Sequence, residues 1–392
     1  MITLTPAGAR NTEDAKMRIG LLRLTDAAPV IVAHEFGFFA EEGVETELVI
    51  EPSWANIADK LAYGFLDAAV IIPPLAFAVT LGLRGHTQPL VVPYTISRGG
   101  NTVTFSNSLA QEIRAHAVAE DISMAQAFAG VIGARQEQLV LAVVHTYSTH
   151  NLLLRYWLAT AGLARSPKVT LAVVPPALAV DALQAKRIAG FCAGAPWGEI
   201  AERARVGLTV ATSQDIWRNA PEKSLALRRS WADAQPDTVQ GALRAMLRAS
   251  QFCDNPANAS YTAALLSRRR YVSVDSHAIM SSLPGGSVTS RNQSLFFRGA
   301  TTFPFRSQAR WFLQQMERWE LLAPGLDHRA LAHSVYRPDI YRAAIAPLGM
   351  SLPLHDEKRE GGHNSPWTLE GHPDPIAMEP DSFCDGAFFD FE

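Results

Sequence analysis

The stretch RIGLLRLTDAAPVIVAHEFGFF, residues 18–39, contains the unit from which the rest of the chain is built. Its first seven residues, Arg18–Leu24, are an apolar run of strand length, closed by the turn and cap residues Thr25 and Asp26. Pro29, Val32, Ala33 and Phe36 then recur at i, i+3, i+4 and i+7, one face of an amphipathic helix. Pro29 falls in its first turn, where a missing N–H costs nothing, and Asp26 is placed to cap it. The alternation continues, with Glu45–Ile50, Ala68–Ile72 and Pro89–Tyr94 reading as further strands. Ser53 caps a helix with Trp54, Ile57, Ala58 and Leu61 on one face, and Gly64 suits the position just past its end. Strands alternating with helices predict an α/β protein with a mostly parallel sheet covered on both faces.

A second unit of the same kind follows. Thr102–Phe105 is a fifth strand, and an Ala-rich helical region spans 108–134. Then come Leu139–Val144, a helix over Ser148–Ala161, Val169–Val174, a short helix over 177–185, Ile188–Cys192, a helix opening at Pro196, and Leu208–Ala211. Residues 230–270 and 308–322 read as helices. Two consecutive α/β units predict two lobes with a ligand cleft between them. The expected division is 17–104 plus 208–350 for lobe I and 105–207 for lobe II, after a flexible N-terminus at 1–16. The last segment, 351–392, is expected to be loop-rich and to dock on lobe I. Within it, 355–382 is rich in Pro, Gly and charge and reads as a long loop or partly disordered. The closing FCDGAFFDFE has the aromatic content of a segment that packs onto a surface.

Composition removes several function classes. The length of 392 residues fits two or three domains, and the apolar 48% and charged 19% are those of an ordinary globular chain. The net charge of −3 provides no basic footprint for nucleic acid. Cys192, Cys253 and Cys384 are scattered and form no CxxC pair, so neither a disulfide framework nor a thiolate zinc site is expected. No apolar run reaches the length of a bilayer-spanning helix. Residues 1–16 hold no secretory signal, which gives a cytoplasmic location as the expectation and a periplasmic one if a leader has been trimmed. GxSxG, P-loop, GxGxxG and HExxH motifs are all missing, so no enzyme, catalytic residue, cofactor or metal is predicted. His145 and His150 lie five apart, which is not the spacing of a helical zinc pair. Asp356, Glu357, Glu360 and His363 read as a solvated charged loop.

The informative positions lie where strands end and helices begin, the edge that faces the ligand crevice of an open α/β sheet. They are Thr25-Asp26, Pro52-Ser53-Trp54, Ser97–Asn101, His145–Asn151, Pro175-Pro176 and Gly194–Trp197. Each sets N–H groups, hydroxyls or a cation beside a helix N-terminus, which attracts small anions. The plainer readings are a core role for Trp54, a tight turn at Gly99-Gly100, a surface Arg98, a satisfied strand-end His145 and a solvated Lys223. Arg155 and Trp157 read as packing residues with an ion pair.

LTDAAPVIVAHEFGFF (24–39), EPSWANIADKLAYGFLDAAV (51–70), STHNLLLRYWLATAGL (148–163), GFCAGAPW (190–197) and DIWRNAPEKSLALR (215–228) together resemble the nitrate/bicarbonate-type solute-binding proteins of ABC transporters. VVPPALAVDAL (173–183), FPFRSQARWFLQQMERW (303–319) and DGAFFDF (385–391) continue the likeness. The missing signal makes the chain look most like the cytoplasmic nitrate/nitrite sensors of that family, which hold an RNA-binding antiterminator inactive until the anion binds. The resemblance implies a type II periplasmic-binding-protein fold with a hinge between two lobes. It implies nitrate or nitrite as ligand, with Thr25, Trp54, Arg98, Gly99, Gly100, His145, Ser148, Trp197 and Lys223 as the residues of the site. An ABC permease and ATPase are the alternative partners, and an enzyme on the same scaffold is the least supported reading. The family commonly has Gln or Asn where Arg98 stands, and an acidic residue where Ala195 stands. A gained cation and a lost carboxylate would favour an anion with no proton to donate, nitrate or nitrite over bicarbonate.

Overall fold

The first ten strands sort into two five-stranded sheets, in a computed structural model that describes residues 16–286 and 292–390. They are β1 (Met17–Leu21), β2 (Thr46–Ile50), β3 (Ala68–Ile71), β4 (Leu90–Thr95), β5 (Asn101–Ser106), β6 (Leu139–Val143), β7 (Val169–Val173), β8 (Gly190–Gly194), β9 (Gly207–Thr212) and β10 (Ser224–Arg228). The first sheet runs β2-β1-β3-β10-β4 and the second β7-β6-β8-β5-β9. Neither is as parallel as expected. β10 is antiparallel to both β3 and β4, and β5 to both β8 and β9. Both are the strands that enter a sheet directly from the other one, so no crossover helix turns them round. The result is a type II periplasmic-binding-protein fold with two α/β lobes.

The chain passes between the sheets at 96–100 and 213–223. The expected lobe borders at 104/105 and 207/208 therefore fall inside β5 and at the start of β9, both strands of the second sheet. Residues 1–15 of the expected flexible N-terminus lie outside the described residues, as do 391–392.

Local chemistry explains most element ends. Ser53 Oγ accepts the Asn56 N–H at 3.2 Å, and Gly64 has φ 76° just beyond the helix Trp54–Ala62. Pro29 is in the first turn of the helix Ala28–Glu35, but Asp26 caps nothing. Its carboxylate is used elsewhere. The region 108–134 is two helices, Asn107–Glu120 and Met124–Gly133, broken by Asp121 at φ 51° and restarted by a capping box between Ser123 and Gln126. Helices pack closely on the sheets. A Cβ on Gly20 of β1 would stand 2.4 Å from Leu66 Cδ1 and 2.9 Å from Ile57 Cδ1, so a larger residue there would force those side chains to shift.

The C-terminal segment is a correction to the expected loop. Residues 352–382 form three short antiparallel ribbons, pairing Leu352–Pro353 with Gly371–His372, Gly362–His363 with Asp381–Ser382, and Trp367–Leu369 with Ile376–Met378. Charge holds them from inside: the Lys358 ammonium is buried between the Glu360 and Asp381 carboxylates. Leu369 and Met378 join the first-lobe core. The segment also reaches beyond that lobe. Asp381 accepts the Trp217 Nε1–H at 2.6 Å, Phe383 packs on Trp217, Trp311 and Tyr156, and Tyr156 Oη donates to Asp385 at 2.8 Å. It thus ties the second crossover and a second-lobe helix together from one side.

Candidate functional site

Both antiparallel strands bring polar residues to one place. Because β10 runs against β3, its entry residues Glu222 and Lys223 stand at the edge where β1, β2 and β3 end. Because β5 runs against β8, its first residue Asn101 lies opposite Gly194, the last residue of β8. The helices Trp54–Ala62 and Thr149–Thr160 begin at the same edge, with their partly positive N-termini toward it. Asp26 is in the turn after β1. Six elements of two lobes therefore converge.

At the centre is a lysine without solvent contact. Lys223 is 0% exposed, and its Nζ bonds Asp26 Oδ2 at 2.8 Å and Glu222 Oε1. The same Nζ lies 5.5 Å from the ring centre of Trp54. Glu222 is well satisfied, for it also accepts Thr149 Oγ1–H at 2.7 Å and Asn101 Nδ2–H at 2.6 Å. His150 Nε2 is 3.5 Å from Glu222 Oε1 but makes no hydrogen bond there. Burial pushes Glu222 up, but Lys223 and the hydrogen bonds overcome it and hold the carboxyl below its ordinary range. For Asp26 burial wins over Lys223, and its carboxyl is raised. Lys223 is opposed by burial, yet its two carboxylates keep it protonated. Burial lowers His150 to about 3, so the ring is neutral.

Several buried polar atoms here have no partner among the described residues: Thr25 Oγ1, Asp26 Oδ1, Trp54 Nε1, Asn101 Oδ1 and both ring nitrogens of His150. Native interiors rarely leave such groups unmatched unless something binds there. Gly194 supplies the room. A Cβ at that position would stand 3.4 Å from Asp26 Oδ2, 3.5 Å from Asn101 Oδ1 and 3.6 Å from His150 Nε2, and glycine leaves the space open. The lobes meet around it, since the Thr25 N–H donates to Ala195 O at 3.0 Å. A groove of about 320 Å³ between Leu22–Leu24, Glu51–Ser53 and Asn56 on one lobe and Pro175–Leu178 on the other adjoins the end of β1.

Of the residues named from sequence, Thr25, Trp54 and Lys223 stand in or beside this cluster. Arg98 does not. It is buried and turned toward the C-terminal segment, with Glu360 and Asp381 as its opposing charges and Ala300 O 3.4 Å from Nη2. Gly99 and Gly100 serve the crossover: at φ 73° and 84°, a Cβ on either would meet Gln214 or Ser294 below 3 Å. Ser148 is spent on capping, accepting the Asn151 N–H at 3.0 Å and donating to His145 O. Trp197 lies in the core with its Nε1 unpartnered among the described residues.

His145 faces first-lobe Arg84, whose Nη1 is 3.0 Å from Nε2, rather than Lys223. Its Nδ1 accepts the Tyr147 N–H at 3.0 Å, and burial with Arg84 lowers the ring to about 4. Asp26, Asn101, Thr149, His150 and Gly194 lie in the strand-end segments but are not among the residues the resemblance implies, and Glu222 lies in none of those segments. Their signal is polarity out of place: Asp26 within LRLTDAAPVIVA, and Glu222-Lys223 directly before the apolar Ser224–Leu227.

The sequence pattern of the NMT1-like family matches residues 10–267, more than half of the chain. The chain belongs to the NMT1-like family. Among its relatives is the nitrate/nitrite binding protein NrtA of Synechococcus elongatus, 32% identical over 376 residues that cover 91% of this chain and 85% of that protein. The bicarbonate transport ATP-binding protein CmpC of the same species is 32% identical over 351 residues, 89% of this chain and 52% of that protein. The chain spans about half the length of the ATP-binding relatives it matches. Among solved structures, the periplasmic nitrate-binding protein NrtA from Synechocystis PCC 6803 superposes with a TM-score of 0.81 at 25% identity, covering 96% of each chain. The two nitrate-binding proteins are relatives of the kind that the sequence resemblance anticipated. Their names speak of binding and transport rather than of sensing.

Proposed function

We propose that this chain is the solute-binding component of an ABC importer and closes its two lobes on nitrate or nitrite beside Lys223. One observation carries the reading: a buried ammonium bonded to Asp26 lies in a cluster with the unpartnered Trp54 Nε1–H, Thr25 hydroxyl and His150 ring, and Gly194 leaves space beside Asp26, Asn101 and His150. A small oxyanion accepts from such donors, and charge-assisted bonds in a dry cleft outweigh a distant, salt-screened net charge. The crossovers at 96–100 and 213–223 act as the hinge, and the anion shifts the open population toward closed. The nitrate-binding names of the relatives support the ligand, and their transport names favour import over sensing.

The test is calorimetry of the purified chain with sodium nitrate, nitrite and bicarbonate. Nitrate is expected to bind, and Lys223→Met to weaken it by about ten- to a hundredfold, the range for losing a charged hydrogen-bond donor. Bicarbonate heat with no nitrate heat at any pH refutes the choice of ligand. In an importer the chain works outside the inner membrane with a permease and an ATPase. In the sensor reading it is cytoplasmic and holds an RNA-binding antiterminator. Cell fractionation separates the two, as does gel filtration with that partner, whose complex must dissolve in nitrate for sensing to stand.

A further inference from the structure

The site that would receive an anion already carries one negative charge too many. Asp26 and Glu222 face a single ammonium, Lys223, and no other cation among the described residues touches the cluster. His150, reaching in from the helix Thr149–Thr160, is neutral, and the Cys192 thiol on β8 is kept protonated by burial and by Glu222. Trp54 and Asn101 bring no charge. Arg98, the other buried cation nearby, faces Glu360 and Asp381 instead. Enclosing nitrate here would set two excess negative charges in a space closed to water, where they are screened poorly.

The two carboxylates are not equivalent. Glu222 accepts from Lys223, Thr149 and Asn101, so both of its oxygens are satisfied in the ionised form. Asp26 has only Lys223 on Oδ2, and its buried Oδ1 has no side-chain partner among the described residues. The carboxyl borders the Gly194 gap through Oδ2, which is 3.4 Å from where a Cβ would stand, and a protonated carboxyl there would be a donor and an ionised one an acceptor. With the lobes parted, Asp26 meets water and is ionised at neutral pH like any aspartate.

Resting on the anion-binding reading above, we propose that closure on nitrate makes Asp26 take one proton from bulk water, so that its carboxyl donates to the bound anion. The proton is the only atom transferred, and no other bond forms or breaks. An anion that carries its own O–H, as bicarbonate does, meets ionised Asp26 as an acceptor and takes no proton from solution. Asp26 thereby reads the protonation of the ligand: the site holds one proton between carboxyl and anion, whichever partner brings it.

Sodium nitrate titrated into the intact chain in weakly buffered solution, with a pH electrode as readout, counts the protons. Close to one proton taken up per nitrate bound at pH 7.5 supports the proposal. So does a nitrate affinity that falls by about tenfold per pH unit between 7.5 and 9, the slope for one linked proton. Where bicarbonate binds, its affinity stays level over that range. Asp26→Asn, with a permanent donor, removes the uptake and binds nitrate more tightly than wild type at pH 8.5. Nitrate binding with no proton uptake and no pH dependence overturns the proposal and leaves the anion site standing. Uptake that persists in Asp26→Asn overturns the assignment to Asp26. Absence of nitrate binding at every pH overturns both this proposal and the reading beneath it. The wild-type proton count decides the matter even if the variant fails to fold.

Discussion

Replacing Lys358 with methionine tests what fastens the C-terminal segment. The ammonium is almost fully buried, bonded to Glu360 and Asp381. Asp381 also accepts Trp217 Nε1–H at 2.6 Å and the Gly361 N–H at 2.9 Å, and Glu360 accepts Ser307 Oγ–H at 2.7 Å. Lys358→Met keeps the volume and removes the charge, leaving two buried carboxylates with hydrogen bonds but no adjacent ammonium. Breaking a buried pair in this way costs about 3–5 kcal/mol, a large share of the 5–15 kcal/mol that holds a typical protein folded. The pH dependence follows by sign. Burial, reinforced by Asp381, raises Glu360 above its ordinary range in the wild type. A raised group stabilises below its unfolded value and loses that contribution as pH climbs past the folded one. Asp381 is held low despite burial, by Lys358 and Trp217, so its contribution is present at neutral pH and is lost in acid. Without Lys358 the Asp381 contribution is gone and both carboxylates are raised, so the deficit is largest above neutrality and shrinks in acid. Urea unfolding followed by tryptophan fluorescence should give about 3–5 kcal/mol of lost stability at pH 7.5 and at least about 1 kcal/mol less at pH 5. A loss under about 1 kcal/mol at pH 7.5, or a deficit that deepens in acid, would refute this reasoning.

Two further substitutions separate the cleft from its surroundings. Gly194→Ala places a methyl in ordinary contact with Asp26, Asn101 and His150, so nitrate affinity should fall at least about tenfold by calorimetry while the unfolding free energy from urea titration changes by no more than about 0.5 kcal/mol. Arg98→Gln should leave nitrate affinity within about threefold, because the guanidinium faces Glu360 and Asp381, while costing about 1–3 kcal/mol in urea as a buried charged contact is lost.

The alternating architecture is legible because strand runs and helix faces are written locally. Ser53, Ser148 and Gly64 mark helix ends by chemistry that acts over three or four residues. The break at Asp121–Ser123 has its own local signal in Ser123 and Gln126. What stays hidden depends on partners far along the chain. Lys358 sits in HDEKREGG and reads as solvated, yet its cavity is closed by Ser307, Trp217 and Asp381. Arg98 and Asn101 stand three residues apart in one segment, and composition favours the arginine as the anion ligand. Two glycines at positive φ turn the chain between them, with Arg98 toward Glu360 and Asp381 and Asn101 on Glu222.

From sequence, nitrate is favoured by a gained cation at Arg98 and a lost carboxylate at Ala195, hence by a cleft of donors only. The cleft has two carboxylates, Asp26 and Glu222, and the added arginine lies outside it. Shape alone then separates the anions poorly, because nitrate and bicarbonate are planar and of similar size. The nitrate-binding and bicarbonate-transport relatives stand at the same 32% identity. The remaining physical difference is the proton, which bicarbonate carries and nitrate lacks. A buried site can respond to that difference through a group that is not locked in one protonation state. Glu222 is locked in its ionised form by three donors and Lys223 is locked as the cation, whereas Asp26 has one partner and an Oδ1 that no described side chain engages. Discrimination between these anions is therefore a question about Asp26, and it is answered by counting protons rather than by measuring the width of the cleft.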